Sequence, residues 1–283
     1  MTGTVTEENQ TGVLMILVTG ASGQLASRIV THLHALGADA VGGSRSPDEH
    51  DRALDFDVPA TLDLTGVDTL VLVSAGYAED DVVVHRHSTV LEAARRDGVG
   101  HVVYTSLVGA GDHLAFALAH RATERLLRNS GMRWTILRNG LYAELVGALL
   151  SWEEAHLVSP FGAGSIAAPT RDDLALAAAL VAADPPGHVS RVHELTGPPF
   201  AVLDIANELA APVQELSLDE YRRGLLDTPG MQPFQPPMLT SIASSIRHNM
   251  LAGHHPDLAD ILGHEPGNGL EAAAASAIST RPG

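Results

Sequence analysis

The stretch MILVTGASGQLASRIVTHL, residues 15–33, constrains the chain more than any other. An unbroken apolar run over residues 13–18 ends at Thr19-Gly20, the pattern of a strand buried on both faces. Leu25, Ile29, Leu33 and Leu36 then recur at helical spacing until Gly37 stops them. The joint between the two carries Gly20, Gly23 and Ala26 in the spacing G-x-x-G-x-x-A. Gly20 permits a tight exit from the strand. Gly23 lets backbone N–H groups approach an anion at the positive end of the helix, and Ala26 lets helix and strand pack closely. The turn is therefore expected to receive a pyrophosphate, a purely structural turn being the alternative.

The same alternation continues for most of the chain. Strands are predicted at residues 38–41, 53–56 (weaker), 67–76, 101–111 and 133–140, and the turn GGSRSPDEH follows the first of these. Helices are predicted at VVHRHSTVLEAARRDG and LAFALAHRATERLLRNSG, each closed by glycine. Right-handed βαβ units follow, hence an α/β fold: a Rossmann-type, doubly wound parallel sheet. After Gly140 the alternation loosens into a capped helix at residues 170–184 and a late strand at VHELTGPP. From about Pro199 the pattern is helical, broken by the loop DTPGMQPFQPPML, whose residues 231–239 are expected to form a lid over an apolar pocket unless they are disordered. The expected organisation is a disordered tail (1–12), a Rossmann domain (13–197) and a smaller, mainly helical C-terminal lobe on the substrate side (198–283).

Composition removes several classes of function. A net charge of −17 speaks against a nucleic-acid backbone or an anionic membrane as partner. Without cysteine there is no disulfide, thiolate metal site or thiol nucleophile. All seventeen basic residues are arginine, so no lysine can hold a ribose or lower a tyrosine's pKa. The polar, acidic start lacks signal-peptide character and no apolar run approaches a span, so a cytoplasmic location is expected. A homodimer through a helix face is compatible with the pattern. His32/His34 and His85/His87 stand two apart on helices and do not face each other, and His254-His255 lack a partner acid, so no metal site is expected.

The residue after the second strand discriminates between nicotinamide cofactors. Arg45 in Gly43-Ser44-Arg45-Ser46 favours a 2′-phosphate and hence NADPH over NADH, although Asp48 and Glu49 stand close by. Asp55, with Phe56, is placed to meet the adenine ring.

ILVTGASGQLASRIV, HVVYTSLVGA, RATERLLRNSGMRWTILRNGLYAE and IAAPTRDDLALAAA together resemble the NmrA-like branch of atypical short-chain dehydrogenase/reductases, with the closest likeness to its NAD(P)H:quinone oxidoreductases. The resemblance implies that Gly20, Ala21, Ser22, Gly23, Gln24 and Leu25 form the pyrophosphate loop. It places Ser74 and Ala75 at the nicotinamide ribose, Thr105 and Ser106 at the fifth strand's end, and Arg138, Asn139 and Gly140 beside the nicotinamide. It departs in the proton machinery. Phe116 and His120 stand where the wider superfamily places a tyrosine and a lysine, a pair the quinone-reductase subgroup also lacks.

That departure selects the substrate. A hydride delivered to an isolated ketone makes a strongly basic alkoxide that needs a positioned acid. A quinone, or a ketone flanked by a phenol, yields a stabilised oxyanion that water can protonate. The expectation is an NADPH-dependent oxidoreductase acting on a quinone or conjugated aromatic ketone, with Ser106, His120 and Tyr142 as candidate catalytic residues and no metal. Alternatives for these three are backbone bonding, a surface or capping role, and packing respectively. Asp112 and His113 rank below them. At the level of function the alternatives are a non-catalytic NADP(H)-binding sensor and a ketoreductase of aromatic polyketide biosynthesis.

Overall fold

The computed structural model describes residues 14–75 and 77–281. The expected tail, Val13 of the first strand, and Gly76 lie outside the described residues. The first half alternates as the sequence pattern requires: β1 (Met15–Thr19), α1 (Gln24–Ala35), β2 (Asp39–Ser44), β3 (Arg52–Ala53), β4 (Thr69–Leu72), α2 (Asp80–Arg96), β5 (His101–Leu107), α3 (Ala117–Arg128) and β6 (Arg133–Asn139). Next come α4 (Ala143–Ala148), β7 (Ser151–Glu153), β8 (His156–Ser159), β9 (Ser165–Ile166), α5 (Arg171–Ala183), α6 (Pro185–His188) and β10 (Arg191–Leu195). The chain closes with β11 (Phe200–Ala201), α7 (Val202–Glu208), β12 (Val213–Glu215), α8 (Leu218–Leu226), α9 (Gln235–Arg247), α10 (Asp257–Leu262) and α11 (Gly269–Ser279).

Seven strands form one sheet in the order β10-β6-β5-β4-β1-β2-β3, every pairing parallel. The strand order reverses between β1 and β4, which opens a crevice at their carboxyl ends. Both faces are covered. Ile16, Val18, Val71, Val103 and Leu137 pack against α1, α5 and α10, while Leu17, Leu70, Leu72, Tyr104 and Ile136 pack against α2 and α3. β5 is accordingly buried at all seven positions and shows no polar alternation. In α5 the Thr170 hydroxyl accepts the Asp173 N–H, and alanines over most of its length let it lie close to α1.

Three expectations need correction. The third strand is two residues at the sheet edge, Arg52–Ala53, rather than residues 53–56; beyond it Asp55 and Thr61 close a hydrogen-bonded turn instead. The expected 227–239 loop ends early, because Gln235 to Leu239 already belong to α9. Pro236 and Pro237 occupy the first turn of α9, where a missing N–H costs nothing. The region after Gly140 also holds two small sheets, β12-β8-β7 and β11-β9, whose strands are too short for their alternation to register in sequence. Residues on α4, β8, α7, α9 and α11 share one hydrophobic cluster with Leu107 at the end of β5 and with Val108 and Leu114 beyond it.

Candidate active site

The glycine turn has the geometry its spacing implies. Gly20 is left-handed (φ +70°), a region costly for any side chain. Gly23 precedes α1 in extended conformation, its N–H donating to the Gly20 carbonyl at 2.7 Å; a Cβ on Gly23 would sit 3.1 Å from that oxygen. The N–H groups of Gln24, Leu25 and Ala26 have no acceptor within the helix and face the crevice end. Ala21 N–H donates to Gly43 O, which ties the turn to β2. Ser22 and Gln24 are exposed, and Leu25 is buried beneath them. Arg45 follows β2 and is exposed, whereas the Asp55 carboxylate accepts the Asp57 N–H at 3.0 Å within its own turn.

Beyond β4 three successive peptide N–H groups are held by side chains. Val73 donates to Thr19 Oγ1, Ser74 to Thr105 Oγ1 and Ala75 to His87 Nε2, each at 3.0 Å. His87 is fully buried, and burial pushes its imidazole down to about 3, so the ring is neutral. With Nε2 accepting, Nδ1 carries the proton and donates to Thr123 Oγ1 at 2.8 Å; the Thr123 hydroxyl in turn donates to Ala119 O. His87, whose spacing from His85 speaks against a metal, thus fixes the backbone at Ala75.

A cavity of about 390 Å³ opens at the carboxyl ends of β4, β5 and β6. Its floor carries Ser74, Thr105, Ser106, Asn139, Gly140 and Tyr142. Phe116 and His120 form a wall, and Leu145, Met238, Leu239 and Ile242 are the apolar roof. Among the described residues lining it, none is an arginine, aspartate or glutamate. At its mouth Tyr77 meets Phe234 edge to face at 5.3 Å, and Gln235 donates to the Tyr77 hydroxyl. Ser74 Oγ and Asn139 Oδ1 are buried beside the cavity without a hydrogen-bond partner. Buried polar atoms of this kind await a polar ligand. Together with the unpaired N–H groups at the glycine turn, they fit a dinucleotide running from the turn into the cavity.

The three catalytic candidates differ in what they present. Ser106 Oγ donates to Glu124 Oε1 at 2.7 Å, so its proton points behind the cavity. His120 bonds Tyr104 OH through Nδ1 at 3.0 Å; burial, then Arg121, holds its pKa at about 4, and it is neutral. Tyr142 has its ring against the Arg171 guanidinium at 4.7 Å, and burial raises its hydroxyl, which stays protonated. Arg138 is on the face of β6 opposite Asn139. Its guanidinium pairs with Glu124 at 2.8 Å and with Glu194 at 2.9 Å, leaving the cavity to Asn139. Asp112 pairs with Arg121, and His113 Nε2 meets Ser245 Oγ on α9 at 2.6 Å. Tyr104 and Glu124 are not singled out by the sequence, and His87 is read there only as a rejected metal ligand. They lie on buried faces of β5, α3 and α2, where no pattern separates a site residue from a core residue.

Elsewhere, a depression beside β10 is lined by Asp184, His188, His193, Asp257 and Asp260. His188 Nδ1 and His193 Nε2 are 3.1 Å apart, and among the described residues no group of three His, Asp or Glu side chains can hold a metal ion. Among these residues, too, no helix is long and apolar enough to cross a membrane.

Residues 20–185 match the NAD(P)H-binding family model. Quinone oxidoreductase 2 of Escherichia coli is 35% identical over 199 residues, 65% of this chain and 68% of its own. An NmrA-like family domain-containing oxidoreductase of Aspergillus flavus is 34% identical over 183 residues, 58% of this chain and 60% of its own. The crystal structure of an NADPH-dependent quinone oxidoreductase of Escherichia coli, complexed with NADPH, superposes with a TM-score of 0.82 at 29% identity, covering 92% of this chain and 99% of that one. With the turn, the switch-point crevice and the altered proton machinery, these likenesses settle the family: the chain belongs to the NAD(P)H-binding, NmrA-like proteins.

Proposed function

We propose that the protein is an NADPH-dependent reductase of small, uncharged quinones, with phenol-flanked aromatic ketones as the second acceptor class. The observation that carries this reading is the cavity itself. It is apolar in its roof, free of charged side chains among its described lining residues, and carries the buried, unpaired polar atoms Ser74 Oγ and Asn139 Oδ1. The similarity to quinone oxidoreductase 2 supports the same reading.

Bound NADPH supplies the hydride. The chain's own residues do the rest. The N–H groups at the start of α1 hold the pyrophosphate, and Arg45 meets the 2′-phosphate. Ser74 Oγ, Asn139 Oδ1 and the pinned backbone at Ala75 seat the nicotinamide end. Phe116, Leu141 and the α9 residues exclude water and hold a flat acceptor. His120 and Tyr142 each offer a neutral polar hydrogen, a suitable match for an oxygen that gains charge and is then protonated from water. An anionic quinone would meet no cation in the cavity and a chain of net charge −17.

The test is NADPH oxidation with 1,4-benzoquinone, with a sulfonated naphthoquinone, and with NADH in place of NADPH. Turnover of the neutral quinone, preferred over the sulfonate and with NADPH preferred, is expected. Tight NADPH binding without turnover of any quinone or phenolic ketone would overturn the reading in favour of a non-catalytic NADP(H) sensor.

A further inference from the structure

We propose that Tyr104 is a positioning residue that holds His120 in the tautomer presenting Nε2–H to the acceptor oxygen, so that a neutral imidazole serves as the oxyanion donor of this site. The inference rests on the cavity being the reduction site.

The tautomer follows from who can donate to whom. Tyr104 is fully buried on β5, on the face covered by α2 and α3. Its hydroxyl needs an acceptor; His120 Nδ1 lies 3.0 Å away, and the oxygens of Thr123 and Ser74 are its other neighbours. The Thr123 hydroxyl accepts from His87 and gives its proton to Ala119, and Ser74 Oγ makes no hydrogen bond of full geometry, so His120 Nδ1 is the acceptor this proposal assigns to Tyr104. With Nδ1 accepting, the proton of a neutral His120 must be on Nε2, across the ring from Tyr104. His120 lines the cavity, so that edge is the one left for a ligand. Phe116 flanks the ring at 6.3 Å between centroids and limits its swing. The charged neighbours on α3, Arg121 and Glu124, are paired with each other at 2.6 Å, and burial keeps both aromatic partners un-ionised.

A neutral N–H suits this chemistry. The hydride's electron pair leaves the acceptor as a phenolate-like anion, and the balancing proton comes from water. The imidazole gives up no proton; it stabilises the oxygen while charge develops, without competing as a strong acid.

Two measurements test it. In ¹⁵N-histidine-labelled protein with NADPH bound, the His120 ring, assigned by its loss in His120→Gln, should show a protonated Nε2 and an unprotonated, hydrogen-bonded Nδ1. Tyr104→Phe should shift the Nδ1 signal. In turnover of 1,4-benzoquinone, His120→Phe should lower kcat by about 10²-fold with NADPH affinity retained, since one oxyanion donor is typically worth about 10²–10³. His120→Gln, whose amide N–H falls near Nε2, should recover most of the loss and His120→Asn should not. A protonated Nδ1 in the wild type overturns the proposal whether or not quinones are substrates. Undiminished turnover by His120→Phe overturns it while leaving the reductase assignment standing.

Discussion

Glu124→Gln separates the ionic network behind the cavity from the chemistry in front of it. The Glu124 carboxylate is 2% exposed. It accepts from Arg121 at 2.6 Å, from Arg138 at 2.9 and 2.8 Å, and from Ser106 at 2.7 Å. The substitution removes the negative charge and keeps the shape. Breaking a buried ion pair from one side costs about 3–5 kcal/mol. Here Arg121 keeps Asp112 and Arg138 keeps Glu194, so the low end applies, about 3 kcal/mol. For a chain of 283 residues that is a fall in Tm of about 5 °C. Burial raises the Glu124 pKa, but hydrogen bonds from Arg138 and Ser106 and the arginine charges outweigh it, and the net shift is downward. A carboxylate with a depressed folded pKa stabilises above its unfolded value of about 4.3, and that contribution is lost as pH falls through the folded value. The gap between wild type and E124Q, measured by thermal and urea unfolding, should be full at neutral pH and shrink below about pH 4.3. Because the amide side chain of E124Q would still offer Ser106 an acceptor oxygen, kcat should stay within a few-fold. A Tm loss under about 2 °C at neutral pH, or a gap unchanged by acid, would refute the reasoning.

Arg45→Glu should lower the NADPH:NADH ratio of kcat/KM by at least about tenfold with Tm unchanged, because Arg45 is exposed and its replacement repels a 2′-phosphate; equal ratios in the two proteins would remove Arg45 from the cofactor site. Acid should destabilise the fold well before the carboxylates titrate. Burial lowers His87 to about 3 and His101 and His120 to about 4, so below about 6.5 the unfolded chain takes up protons that the folded one refuses. Stability then rises with pH between those values, by up to about 1.4 kcal/mol per pH unit for each histidine. His87→Gln, which cannot titrate, should flatten the slope of urea midpoint against pH between about 5 and 6.5, and an unaltered slope would show that His87 titrates alike in both states.

Local sequence signals specify the alternation that builds the first half of the sheet and the glycine turn. Those features are local. A strand, a left-handed glycine and an amphipathic helix are written in consecutive residues, so the turn at Gly20 and Gly23 is legible without knowledge of packing. The bounds of β3 and the presence of β7 and β9 are not, since two or three residues carry no period, and the start of α9 is hidden because proline reads as a breaker unless one knows it occupies a first turn. Ser106, His120 and Tyr142 could be named from sequence, but what each presents to the cavity could not. Tertiary structure turns the Ser106 proton toward Glu124, ties His120 to Tyr104 and lays Tyr142 against Arg171. These partners come from β5, α3 and the start of α5, and parallel strands buried on both faces erase the alternation that would mark their inward side chains. Hydrogen-bond direction inside a closed core depends on which groups of distant segments meet, and only the folded chain settles that.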